Sequence, residues 1–162
     1  MPNIYRINTN HLFFCIMLVL CSQAGLANDT LDRLIETRNC SFCDFRHLRI
    51  RSSTNDVIDP PPVVDLTETY LVQADFSQAD LTNVIFAQSF LNGARFVRAD
   101  LSGADFTGSE LELADFSGAD LTNAVFFEAY LLHARLSLKQ LRTVKLCQTT
   151  LPNASISHRD CN

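Results

Sequence analysis

Residues 99–123 read ADLSG ADFTG SELEL ADFSG ADLTN when divided into fives. The third residue of each five (Leu101, Phe106, Leu111, Phe116, Leu121) is large and apolar, and the first is Ala or Ser. Extended both ways, the frame begins at Val64 and continues through His158, giving nineteen units over 95 residues without an insertion. The third position is Leu, Phe or Ile in every unit. The first is small or β-branched in every unit except that of Lys139. Chance does not hold such a register over this length.

A period of five is neither the 3.6 of a helix nor the 2 of a strand. One large apolar residue in five can face a single axis only if the chain turns at each unit. A small residue two positions earlier can then share a narrow interior with it. The other three positions face water, and here they are mostly Asp, Ser, Thr, Gly, Asn and Gln, the residues that form turns.

Units such as Ala79-Asp80-Leu81-Thr82-Asn83 and Ala99-Asp100-Leu101-Ser102-Gly103 resemble the A(D/N)LXX motif of the pentapeptide-repeat family. The resemblance covers residues 64–158. It implies an all-β fold, a right-handed quadrilateral β-helix with four units per coil and one unit per face. Nineteen units would make nearly five coils, a rod on the order of 23 Å at the ~4.8 Å spacing of paired strands. Residues twenty apart should then stack. Phe76, Phe96 and Phe116 would form one column, facing Phe86, Phe106 and Phe126. Leu71, Leu91, Leu111 and Leu131 would form a third, and Leu81, Leu101, Leu121 and Leu141 the fourth. These aromatics read as core.

The ends of a solenoid need caps, because open edges pair with other chains. Residues 28–42 contain a short amphipathic helix by pattern, Asp29 to Arg38, with Leu31, Leu34 and Ile35 on one face. Residues 43–63 hold two unit-like stretches starting at Cys43 and Leu48. An eleven-residue interruption follows, Ser53 to Val63, containing Pro60-Pro61-Pro62. At the other end, Ser137 followed three on by Gln140 forms a capping-box arrangement. A helical turn there would explain Lys139. Residues 159–162 form a short tail.

The first 27 residues differ from the rest. A polar stretch with one cation, Arg6, leads into the apolar run Leu12–Cys21, then to Gly25 and Ala27. That order is expected of a secretory signal peptide cleaved after Ala27. The run is about half the ~20 residues needed to span a bilayer, so no stable membrane span is expected. Lipidation of Cys21 is the alternative, though Val19 and Leu20 are larger than that processing prefers. The expected location is periplasmic or secreted.

Six cysteines are present, and Cys15 and Cys21 would leave with the signal peptide. Four remain in an oxidising compartment. Of the three pairings, Cys40–Cys43 and Cys147–Cys161 are favoured because each pair sits at one end of the solenoid. A redox site at Cys40 and Cys43, or a zinc site adding His47, is the competing reading. A βαβ context is lacking for the first, and a fourth ligand for the second.

The net charge is −5, and Arg6 is the only charge before Asn28. Residues 28–162 therefore carry 12 basic and 18 acidic side chains, net −6. Nucleic-acid binding wants clustered cations and is not expected. Histidines are scattered. A GxSxG motif and a phosphate-binding glycine loop are both missing, so no enzyme activity and no cofactor are expected.

The residue before each central position points outward. One outward column is Asp80, Asp100, Asp120 and Gln140, and another alternates in sign: Asp75, Arg95, Asp115, Arg135. A third, Tyr70, Phe90, Glu110 and Tyr130, offers a partner-binding patch together with Phe127 and Leu132. The expectation is an exported structural or protein-interaction module with an unidentified protein partner. End-to-end pairing of two rods is left open. The alternative follows from the resemblance, since some family members mimic DNA and bind a type II topoisomerase in the cytoplasm. Asp columns alone do not demand that reading, because carboxylates ~4.8 Å apart in water repel by only about 1 kcal/mol.

Overall fold

The computed structural model describes Phe42, Phe45, Arg46 and residues 64–161. Each five-residue unit solves one problem, which is where its five backbone N–H groups go. The first position donates back across a β-turn to the third residue of the preceding unit, as Ala74 does to Leu71. The second donates to the coil before, as Arg95 does to Ala74. The third and fifth donate to the coil after, as Phe76 does to Arg95 and Gln78 to Val97. Only the fourth N–H lacks a backbone partner, and the Asp two residues earlier accepts it. Asp65, Asp75, Asp80, Asp100, Asp105, Asp115 and Asp120 all do so, with Oδ1 2.9–3.3 Å from the nitrogen. The turn also requires positive φ at the fifth residue. Gly103 there has φ +70°, and Gln88, Asn83 and Arg98 accept 56–59°.

Parallel bridges join residues twenty apart throughout: Asp80 to Asp100, Asp100 to Asp120, Glu110 to Tyr130. The chain therefore closes one circuit every four units. Regular pairing is confined to these single bridges, because turns occupy most of each unit. Among the described residues the only extended strands are β1, Thr149–Thr150, and β2, Ile156–Ser157.

The core columns stack as the twenty-residue period requires. Phe76 lies on Phe96 and Phe96 on Phe116, with centroids 5.2 and 5.0 Å apart and planes within 7°. Phe86, Phe106 and Phe126 stack similarly. The two ladders meet edge-to-face, as between Phe96 and Phe106 at 5.8 Å and 80°. Leu71, Leu91, Leu111 and Leu131 and the Leu81, Leu101, Leu121 column are fully buried. Leu141 is the exception, only partly buried against the core.

At the N-terminal end, Phe45 stacks on Phe76 with centroids 4.9 Å apart, and its N–H donates to Asp75. Those two residues are thirty-one apart, eleven more than one circuit. Eleven is also the length of the expected interruption Ser53–Val63, which lies outside the described residues. Phe42 donates to Val72 and has φ +63°, which makes it the fifth residue of a repeat unit. The repeat packing thus reaches back into residues 28–42, which the sequence assigns to a cap. The capping helix, Cys40, Cys43, His47 and the signal segment lie outside the described residues.

At the C-terminal end, α1 (Leu138–Thr143) replaces one face of the last coil. Ser137 is its N-cap, and Gln140 completes a capping box, as its spacing predicts. The Gln140 amide also donates to the carbonyls of Phe116 and Ala119 at 2.8 and 2.9 Å, closing the edge beneath the helix. Gln140 therefore does not extend the Asp column outward. The coil then resumes, with Lys145 bridged to Val125 and Thr150 to Tyr130.

The last unit, Ala154–His158, departs from the repeat although its letters fit the frame. It folds back so that β2 pairs antiparallel with β1, and Ile156 is exposed. The stacked solenoid thus stops at residue 153, short of the 158 expected. The returning tail covers the open edge. Asp160 accepts from the Leu146 N–H and donates its own N–H to the Leu146 carbonyl, each at 2.8 Å. Arg159 donates to the carbonyls of Leu141 and Val144. Cys147 and Cys161 form a disulfide that holds this tail down. End-to-end pairing through this end would have to displace it.

Candidate functional site

One face differs from the other three. Its units begin at Thr69, Ser89, Ser109, Ala129 and Thr149, and none has Asp at the second position. That position holds Tyr70, Phe90, Glu110, Tyr130 and Thr150, bridged in that order. The Asp turn bond of units such as Ala79–Asn83 is therefore unavailable to Val72, Asn92 and Leu132, as it is to Ala87, Val97 and Phe127 on other faces. Glu112 receives a substitute, its N–H donating to Asn92 Oδ1 at 2.9 Å.

Tyr70 and Phe90 stack with centroids 4.6 Å apart and planes 7° from parallel. Tyr70 is 48% exposed and Tyr130 40%. Glu110 separates Phe90 from Tyr130 and accepts a hydrogen bond from Asn92 Nδ2 at 2.9 Å. Beside it, Leu113 is 62% exposed and has φ +61°. A left-handed conformation costs an ordinary L-residue roughly 1–2 kcal/mol. Leu at that position thus combines local strain with exposed apolar surface, and neither helps the fold. Phe42 extends this face at its N-terminal edge, exposed and one coil before Gln73.

Buried hydroxyls underlie the same face. Thr69 and Ser89 both donate to the Leu66 carbonyl, and Ser109 donates to that of Phe106. Each hydroxyl replaces the Ala of other units without leaving a polar group unpaired.

The remaining faces are structurally accounted for. The Asp columns serve the turns. On the sign-alternating face, Arg95 lies 4.0 Å from Asp75 and Arg135 3.8 Å from Asp115. Pairs this exposed contribute about 0–1 kcal/mol. For Asp115, burial pushes the carboxyl up, but hydrogen bonds from Ser117 and the charges of Arg135 and Arg95 together bring it below the usual range. Among the described residues, no group of three His, Cys, Asp or Glu could hold a metal ion. No helix among them is long and apolar enough to cross a membrane.

The profile of pentapeptide repeats matches this chain in eight copies, over residues 64–96, 86–118 and 111–138. Over these residues the chain belongs to the pentapeptide-repeat family. Among solved structures it resembles HetL, a pentapeptide repeat protein involved in heterocyst differentiation regulation in the cyanobacterium Nostoc. Identity is 31% and the TM-score 0.63, over 74% of this chain and 51% of HetL, so the chain spans about half of that protein. It is also similar to Rfr23 of the cyanobacterium Cyanothece, at 25% identity and TM-score 0.34, over 80% of this chain and 98% of that one. A third likeness is to QnrB1, a plasmid-mediated fluoroquinolone resistance protein. There the identity is 24% and the TM-score 0.38, over 71% of this chain and 58% of that one. No curated protein matches.

Within this pentapeptide-repeat chain the sequence-derived patch is only partly one surface. Tyr70, Phe90, Tyr130 and Leu132 share a face. Phe127 belongs to the unit before Tyr130 and stacks between Thr107 and Cys147 on the neighbouring face, half buried. Leu113 and Phe42 were missed. Leu113 was legible as an apolar residue at a fifth position, where the frame otherwise favours polar residues or Gly. Phe42 was not, because the eleven-residue interruption hides its register.

Proposed function

We propose that the protein is an exported, non-enzymatic interaction module, a right-handed quadrilateral β-helix that presents the Tyr70–Tyr130 face to a protein partner. The observation that carries this reading is that this face alone has no turn-forming Asp in any of its units and holds Tyr, Phe and Tyr at that position. Sequences that break a local folding rule tend to do so at functional positions. The regulatory involvement of HetL is in keeping with a rod of this kind acting by contact. Export is supported by the pattern of residues 1–27 and by the Cys147–Cys161 disulfide, a bond that persists in oxidising compartments. The Asp columns do not by themselves call for the DNA-mimic alternative, since a turn hydrogen bond already gives each Asp a structural reason to be there.

The test is capture of partners by crosslinking in the native cell, comparing the natural chain with a Phe90→Ser, Tyr130→Ser variant. Loss of the captured protein is expected. Equal capture would sink the face as the binding site. Intact mass with and without reduction tests the compartment. A chain starting at Asn28 with thiols appearing only after reduction is expected, and a full-length chain with free thiols would overturn export.

A further inference from the structure

The aromatic column has a gap. Tyr70 and Phe90 stack in adjacent coils, and at the next level stands Glu110 in place of a third ring; Tyr130 follows. Phe90 and Tyr130 are two coils apart, about 9–10 Å at the spacing of paired strands. Tyr70 lies 4.6 Å from Phe90 with the planes nearly parallel. A planar group entering at the level of Glu110 would find a similar separation from a ring on either side.

We propose that this gap is a slot for an arginine side chain of a protein partner, stacked between Phe90 and Tyr130 and paired with Glu110. The inference rests on the reading of this face as the binding surface, and it assigns the chemistry of the partner. Three observations carry it. First, charge: the face bears Glu110 and Glu112 at one level and no Lys or Arg in any of its five units, so its carboxylates ask for a cation from outside. Second, geometry: a guanidinium is planar, stacks on aromatic faces and meets a carboxylate with two parallel N–H donors, whereas an ammonium does none of these as well. Third, placement: Asn92 holds Glu110 through its Nδ2 while its Oδ1 accepts the Glu112 N–H, so the acid stands at the slot with its second oxygen free of that bond. Leu113, exposed in the unit of Glu110, and Leu132, in the unit of Tyr130, add apolar side chains to the same face. That favours an arginine set among apolar residues of a protein over a free cation.

The experiment is a titration of the isotope-labelled protein, followed by amide resonances, with the peptide acetyl-Leu-Arg-Leu-amide. Parallel titrations use peptides with citrulline or lysine in place of arginine. Shifts confined to Phe90, Gly93, Glu110, Glu112, Leu113 and Tyr130 are expected, with the arginine peptide at least tenfold tighter than its neutral citrulline twin. Glu110→Gln and Tyr130→Ala should each weaken it at least tenfold, while Glu128→Gln on the neighbouring face should not. Equal binding of the citrulline peptide, or shifts spread over the Asp faces, would overturn the slot. Lysine binding as tightly as arginine would overturn the stacked geometry. If the slot fails while Phe90→Ser, Tyr130→Ser still abolishes partner capture, the face remains the binding surface with a different chemistry.

Discussion

At the scale of single residues, the motif is a hydrogen-bond solution. The Asp of each unit is there because one backbone N–H in five has no backbone acceptor. Asp100→Asn keeps the acceptor oxygen and should change stability little. Asp100→Ala removes it and should cost about 1 kcal/mol by denaturant titration. If the two variants lose equally, the carboxylate charge matters and the turn account is wrong. Leu113 offers the reverse case. Asn tolerates the left-handed conformation better than Leu, so Leu113→Asn should hold or raise the thermal midpoint. An exposed Leu making a needed packing contact would instead show a clear loss.

At the scale of elements, α1 and the returning tail do the work of edge protection. Ser137→Ala removes the N-cap acceptor and should cost about 1 kcal/mol. Gln140→Ala should cost more, because it also strips the donors that reach Phe116 and Ala119. Reading both by thermal unfolding separates capping from edge closure. Equal losses would mean the edge bonds contribute nothing. The Cys147–Cys161 loop spans 14 residues, and its closure is worth about 3 kcal/mol in the chain-entropy account. Cys147→Ser with Cys161→Ser should lower stability by that order and make it insensitive to reductant. Hydrogen exchange at Leu146 and Thr150 should speed up first, since those amides lie under or beside the tail.

At the scale of the whole molecule, the core is two Phe ladders and two Leu ladders running the length of the stack. Phe96 touches rings above, below and across. Phe96→Ala should therefore cost about 3–5 kcal/mol and act on both neighbouring coils. Acid stability follows from the carboxylates. In Asp120, hydrogen bonds from Thr122 lower the carboxyl, and in Asp160 the Leu146 N–H does so. Asp115 is lowered as well. All three ionise more readily folded than unfolded, so their contribution is complete above the free Asp value of about 3.9. It is lost as pH falls through the lower folded values. The thermal midpoint should hold from neutral pH to about 4 and drop below that, with a shallower drop in Asp115→Asn, Asp120→Asn.

The sequence by itself determined the register. A five-residue period with one large apolar residue admits one inward position. Four units per circuit, which the family resemblance implied and the bridges between residues twenty apart show, turns that register into columns of Phe and Leu. The Ser137–Gln140 cap was equally legible, because it is a local signal. What only the tertiary structure decided is where the pattern stops being used. Ala154–His158 carries the letters of a unit, yet it folds back, because the last coil has no neighbour to pair with and the tail must satisfy its edge. The face was decided in the same way. Phe127 and Tyr130 are close in sequence but fall on different sides of a corner. Phe42, far away in sequence, meets the unit of Tyr70 through its N–H bond to the Val72 carbonyl, across a circuit whose length the local pattern does not show. Side-chain proximity in a solenoid is set by circuit length and corner position, quantities that arise only when the coils stack.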